Sequence, residues 1–182
     1  NGPFQIETVR PDWHSVNGTP VDCVRVGLAT LQPAADVVLS GVNAGANLGV
    51  DLLVSGTFAA AREAVIEKVP AMAVSHYRRP DVPKSWEHVP RWLAPALREF
   101  AQAVSECDGA KESAPLLWNV NLPAIDPADP MPEMVRCPID SMAHQRQVTT
   151  NDRNVTLSWD FHGRPREHGS DVEHCFSGSI TI

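Results

Sequence analysis

The chain has 182 residues, long enough for one domain with its own core, and its 15 basic and 22 acidic residues give a formal charge of −7. That balance excludes a nonspecific binder of nucleic-acid polymers or of acidic membranes, since both need a basic face. It leaves room for a small anionic substrate held by a local positive potential. The opening residues, "NGPFQIETVRP", read as the interior of a longer gene product, an expectation that bears on the metal site below. "GTPVDCVRVGLATL" (18–31) predicts a helix. Thr19 is its N-cap, Pro20 takes the first helical position, Asp22 closes a capping box, and Val21, Val24, Leu28 and Leu31 form one apolar stripe. Asp22 has a catalytic reading too, but capping explains it fully.

"ADVVLS" (35–40) predicts a short buried strand, and "SGVNAGANLG" (40–49) a glycine-rich turn after it. A second helix is predicted for "SGTFAAAREAVIEKV" (55–69), capped by Ser55 or Thr57, with a small face suited to close packing on a sheet. "PAMAVSHY" (70–77) predicts another buried strand, and the proline-rich stretch 76–90 a connection. A third helix spans 91–106, with Leu93, Leu97, Phe100 and Val104 along one side and Pro95 able to kink it or shift its start. "APLLWNVNLP" (114–123) predicts a strand. This alternation predicts an α/β fold: a parallel sheet with helices on both faces, residues 1–182 forming one domain. In the last third, 145–161 predicts a hairpin around "NDRN", polar on both sides, projecting from the domain toward a partner chain. "GSITI" predicts a final strand in the sheet.

The four cysteines (Cys23, Cys107, Cys137, Cys175) form no C-x-x-C pair, so neither a zinc knuckle nor a thioredoxin-type motif is present. Reduced thiols in a cytoplasmic protein are the simplest expectation. No apolar run reaches the roughly 18 residues of a membrane span, so neither a span nor a signal peptide is expected in these residues.

Ligands of open α/β sheets bind beyond the carboxyl ends of the strands. "SGVNAGANLG" lies at such an end. Asn43 offers a neutral amide oxygen suited to a hard cation such as Mg²⁺ or Mn²⁺. Gly45 lets a ligand approach the main chain. Ser55, Gly56 and Thr57 open a helix whose N–H groups and dipole favour an anion. From the residues alone two readings stand: metal-assisted phosphate chemistry, or a tight strand-to-helix turn using glycine and asparagine for geometry. The spacing is not G-x-G-x-x-G and no Walker lysine follows.

"GTPVDCV", "DVVLSGVNAGANLG", "SGTFAAAREA", "PAMAVS", "WNVNLP" and "GSDVEHCFSGSITI" occur in this order. They resemble the SurE family motifs "GTPxDCV", "DLVVSGINxGxNLG", "YSGTVAAAxEG", "PAIAVS", "xNVNxP" and "GTDxxAxxxGYxSxTP". The resemblance runs over nearly the whole chain and is most specific over residues 36–61. It implies a Rossmann-like three-layer α/β sandwich with a protruding hairpin that joins copies into a homodimer or homotetramer. It implies a divalent-metal phosphomonoesterase that hydrolyses nucleoside 5′- or 3′-monophosphates, with Asn43 as metal ligand and catalytic residue. Ser55 and Thr57 would be catalytic, and Asn43, Gly45, Ser55, Gly56 and Thr57 would bind the phosphate. The family's paired aspartates ("NDDG") and serine loop are absent from these residues and are expected before Asn1, so that the 182 residues alone would be inactive. Where the family has two acidic residues and a tyrosine before "SGT", this chain has Val50, Asp51 and Val54. The rival expectation is a catalytically silent phosphate- or nucleotide-binding module. An NAD-type Rossmann enzyme is a third option, lacking its glycine fingerprint.

Other polar groups have plainer readings. His168, Asp171 and His174 fit no common metal spacing and read as a polar loop. Arg62 reads as a surface charge, His76 to Arg79 as a solvated loop with nucleotide contact as the alternative, and the five tryptophans as core.

Overall fold

In a computed structural model that describes residues 2–107 and 115–182, the chain opens with an antiparallel hairpin, β1 (Ile6–Arg10) and β2 (Trp13–Val16). Neither strand was expected. Asn1 and Ala114, the latter opening a predicted strand, lie outside the described residues. Helix α1 (Pro20–Val26) starts as the sequence dictates. The Asp22 amide donates to Thr19 Oγ1 (3.3 Å), and the Thr19 amide donates to Asp22 Oδ2 (2.9 Å). Asp22 is thereby a helix cap, and Gly27–Leu31 continues the coil as a wider turn.

Strand β3 (Val38–Ala44), the single-turn 3-10 helix Gly49–Leu53, helix α2 (Gly56–Ile66) and strand β4 (Ala71–His76) follow. Helix α3 (Val89–Cys107), β5 (Leu117–Leu122) and β6 (Met134–Val135) come next, then β7 (Gln147–Asn151), β8 (Asn154–Ser158), α4 (Asp171–Phe176) and β9 (Ile180–Thr181). Pro95 lies inside α3 and neither starts nor ends it. The central sheet runs β3-β4-β5-β9-β6. β3, β4 and β5 are parallel, β9 is antiparallel to β5, and β6 is parallel to β9.

Alternation along β4 builds three layers. Ala71 and Ala73 face α2, where Ala61 and Ala64 are equally small, so helix and sheet approach closely. Met72 and Val74 face the other way, against Trp92, Leu93, Ala96 and Phe100 of α3. Trp92 is fully buried; truncating such a side chain costs about 3–5 kcal/mol.

The hairpin β7–β8 is where the sequence places it, exposed along both strands. It is not polar on both sides. Val148 opposes Leu157 and Thr150 opposes Val155, so Val148, Val155 and Leu157 share one face, each more than half exposed. The five tryptophans are not all core either: Trp92 is buried, while Trp13, Trp86 and Trp159 are exposed.

Candidate active site

The loop between β3 and α2 is shaped by three successive anchorages. The first is at Gly41, with φ +133°, where a Cβ would collide with the Val74 carbonyl of the neighbouring strand. This glycine therefore serves strand packing rather than ligand approach. The register with β4 shifts between Ser40 and Asn43. Asn43 then donates its Nδ2 to the Gly45 carbonyl at 2.9 Å, and the Gly45 amide donates to His76 O at 3.0 Å. With its nitrogen committed, the Asn43 amide leaves Oδ1 without a partner among the described residues.

The second anchor is Asn47, a residue to which the sequence alone assigned no role. Its amide donates to Asn121 Oδ1 (2.9 Å) and its Nδ2 to Ser75 Oγ (2.6 Å). Its carbonyl accepts from both Asn119 Nδ2 and Asn121 Nδ2, each at 3.0 Å. The asparagines of "WNVNLP" thus clamp the loop across the ends of β4 and β5, and every polar group of Asn47 except Oδ1 is used. The third anchor is Gly49, with φ +55°, whose missing Cβ leaves room for Asp140 O at 2.9 Å. Its amide donates to Asp171 Oδ2 (2.8 Å), while Asp171 Oδ1 accepts from the Asp140 amide (2.8 Å). Burial pushes the Asp171 carboxyl up, against the pull of these amides. Asp140 is also pushed up by burial, but hydrogen bonds from Ser170 and the amides of Glu167 and Met142 bring it below the usual carboxylate range.

Asp51, in the 3-10 turn, fastens the loop to the base of the β7–β8 hairpin. Its Oδ1 accepts from His144 Nε2 and its Oδ2 from Arg164 Nη1, both at 2.6 Å. Arg164 also donates to Leu48 O at 3.3 Å and lies over the Phe161 ring.

Helix α2 begins at Ser55, whose Oγ accepts from the Phe58 amide at 3.1 Å. The Ala59 amide donates to Ser55 O. The amides of Gly56 and Thr57, in the first turn, have no acceptor among the described residues and lie at the positive end of an eleven-residue helix. Ser55 still has its own O–H to give. A capping serine, a glycine amide and a threonine hydroxyl thus stand together at this helix start, donors of the kind an anion can use. No hydrogen bond joins Asn43 to Ser55, Gly56 or Thr57; what they share is the loop that leaves the carboxyl end of β3 and enters α2.

Asn43 Oδ1 suits one position around a hard cation, but Mg²⁺ wants about six oxygens. Among the described residues no group of three or more His, Cys, Asp and Glu could hold a metal ion. The residues present therefore do not by themselves make a divalent-cation site.

The plainer readings divide. His168 pairs with Glu173 at the surface while Asp171 is buried against Gly49 and Asp140, so these residues and His174 form no metal site. Arg62 is exposed. His76 and Tyr77 are buried, contrary to the solvated-loop reading. His76 Nδ1 donates to Tyr77 O (2.7 Å), so its Nε2 accepts from His88 Nε2 (2.7 Å). Burial, with Arg78 nearby, drops the His76 imidazole to about 4.

Among the described residues no helix is long and apolar enough to cross a membrane. The family model for survival protein SurE matches residues 3–149. A candidate 5′-nucleotidase from Nostoc sp. is 34% identical over 180 residues, covering 99% of this chain and 76% of its relative. The 5′-nucleotidase SurE of Neisseria gonorrhoeae is 34% identical over 186 residues, covering 99% of this chain and 71% of its own. The crystal structure of the SurE protein from Aquifex aeolicus superposes with a TM-score of 0.75 at 24% identity, over 99% of this chain and 72% of that one. With the three-layer α/β sandwich and the SGVN-to-SGT loop both in place, the chain belongs to the SurE family.

Proposed function

We propose that the chain carries the phosphate-holding part of a phosphomonoesterase that hydrolyses nucleoside 5′- or 3′-monophosphates to nucleoside and phosphate. The observation that carries this reading is the pair of unpartnered amides at Gly56 and Thr57 behind the Ser55 cap, on the loop that also presents the free Oδ1 of Asn43. The 5′-nucleotidase names of the relatives support it.

In this mechanism the Gly56 and Thr57 amides and the Ser55 and Thr57 hydroxyls donate to the phosphate oxygens. Their donors are aimed before the substrate arrives, so they meet charge as it develops without reorganising. Water adds its oxygen to phosphorus, the P–O ester bond breaks, and the departing alcohol oxygen takes a proton. Clamping by Asn47 and Asp51 holds Asn43 and the cradle in one geometry, where small displacements cost rate. The cofactor proposed is Mg²⁺ or Mn²⁺, with Asn43 Oδ1 as one ligand. The carboxylates it needs are not among the described residues.

A second copy of the chain is the proposed partner of the hairpin, since Val148, Val155 and Leu157 make an apolar face that stays exposed among the described residues. The thiols of Cys23, Cys137 and Cys175 accord with a cytoplasmic setting. The test is phosphate release from nucleoside monophosphates by the full gene product with Mg²⁺, with Mn²⁺ and with EDTA. Release that requires the cation supports the reading; binding of the nucleotides without release under every condition supports a silent module instead.

A further inference from the structure

At the base of the β7–β8 hairpin the two strands part around a cavity of about 460 Å³. This lies within the range of small-molecule pockets. Its walls carry an unusual share of uncommitted groups. Arg146 has no ion pair or hydrogen bond among the described residues, and the side-chain amides of Gln145 and Gln147 have no partner there either. Trp159 lines the same space and is half exposed, with its ring centroid 6.2 Å from that of His144. Two further nitrogen-bearing side chains of the wall, Arg164 and His144, are already taken up by Asp51.

An open aromatic ring flanked by two amides and a guanidinium is the chemistry that reads a nucleobase. The ring stacks on any base, while amide and guanidinium groups match the donors and acceptors of its edge. The cavity is also tied to the phosphate cradle. Asp51, held by two wall residues, precedes the Ser55 cap of α2 by four residues.

We propose that this cavity receives the base of the nucleotide substrate, with Trp159 stacking on it and Gln145, Arg146 and Gln147 contacting its edge. The identity of the ligand rests on the nucleotidase reading above. The location of the site rests on the cavity itself.

The test uses the full gene product and two readouts. First, calorimetry in EDTA measures binding of adenosine, guanosine, cytidine and uridine, which carry no phosphate. Second, steady-state kinetics compares nucleoside monophosphates with ribose 5-phosphate, which carries no base. Trp159→Ala is expected to weaken nucleoside binding and raise KM for the nucleotides about tenfold, the loss typical of removing a base–aromatic stack. Turnover of ribose 5-phosphate should not change. Trp159→Tyr, which keeps a stacking ring, should restore most of the affinity, and Arg146→Gln should weaken nucleoside binding without altering the ribose 5-phosphate rate. The proposal is overturned if no nucleoside binds the wild-type protein at millimolar concentration. It is also overturned if Trp159→Ala impairs both phosphate esters equally, which would mark a structural role. Nucleoside binding that depends on Trp159 in a protein hydrolysing neither ester would uphold the cavity and refute the nucleotidase.

Discussion

Replacing Asp51 with alanine tests whether the loop is fastened to the hairpin base as described. The carboxylate accepts from His144 and Arg164 at 2.6 Å, and the Arg164 side chain is only 6% exposed. Breaking a buried pair by removing one partner costs about 3–5 kcal/mol, because the other charge is left without compensation. Asp51 itself is 20% exposed and Arg164 keeps Leu48 O, so the lower end applies, about 3 kcal/mol. With a urea m-value of about 2 kcal/mol/M, the unfolding midpoint should fall by about 1.5 M. Asp51→Asn, which keeps the shape but not the charge, should lose about half as much. The double variant Asp51→Ala/Arg164→Met removes the stranded charge and should be more stable than Asp51→Ala alone. A loss below about 0.5 kcal/mol, or strictly additive single losses, would refute the reasoning.

Three further outcomes follow from the same structure. Burial depresses His76 from 6.5 to about 4. Above pH 6.5 neither folded nor unfolded chain holds the proton, between 6.5 and 4 only the unfolded chain does, and below 4 both do. Stability is therefore lost as pH falls from 6.5 to 4, by about 3 kcal/mol in all, and urea unfolding of His76→Gln should show a shallower fall over that window; identical pH profiles would contradict it. Asn47→Ala keeps the backbone bonds to Asn121 but strips the buried Ser75 hydroxyl of the Asn47 amide, and should cost about 1–3 kcal/mol by the same assay, whereas a neutral effect would mean that the Ser75 bond is not formed. Val148→Ser with Leu157→Ser should lower the mass of the assembly in light scattering while keeping the circular dichroism spectrum; an unchanged mass would remove the hairpin from the interface.

Much of this architecture is legible locally. Thr19, Pro20 and Asp22 announce α1 within four residues, and the small residues of α2 announce close packing on β4. The loop's anchors are not legible, because they join distant positions: Asp51 to His144 and Arg164, and Gly49 to Asp171, across some ninety to a hundred and twenty residues. No periodicity or capping rule reports such a pairing. The glycines mislead for a related reason. Gly41 and Gly49 look like room for a ligand, but a neighbouring strand and the Asp140 backbone occupy the space a Cβ would need. The hairpin's apolar face did leave a signal, since Val155 and Leu157 fall at period two, but intervening threonine and asparagine mask it. Average tryptophan burial likewise says nothing about one position such as Trp159.

The central claim is that the loop after β3 and the start of α2 hold a phosphate ester for hydrolysis. Phosphate release from a nucleoside monophosphate by the full gene product carrying Asn43→Ala tests it most directly. Asn43 is part-buried and, among the described residues, its side chain makes one hydrogen bond, to the nearby Gly45 carbonyl, so the fold should survive, as circular dichroism and the urea midpoint will report. The account predicts that hydrolysis disappears from this folded protein. Hydrolysis at the wild-type rate would contradict it.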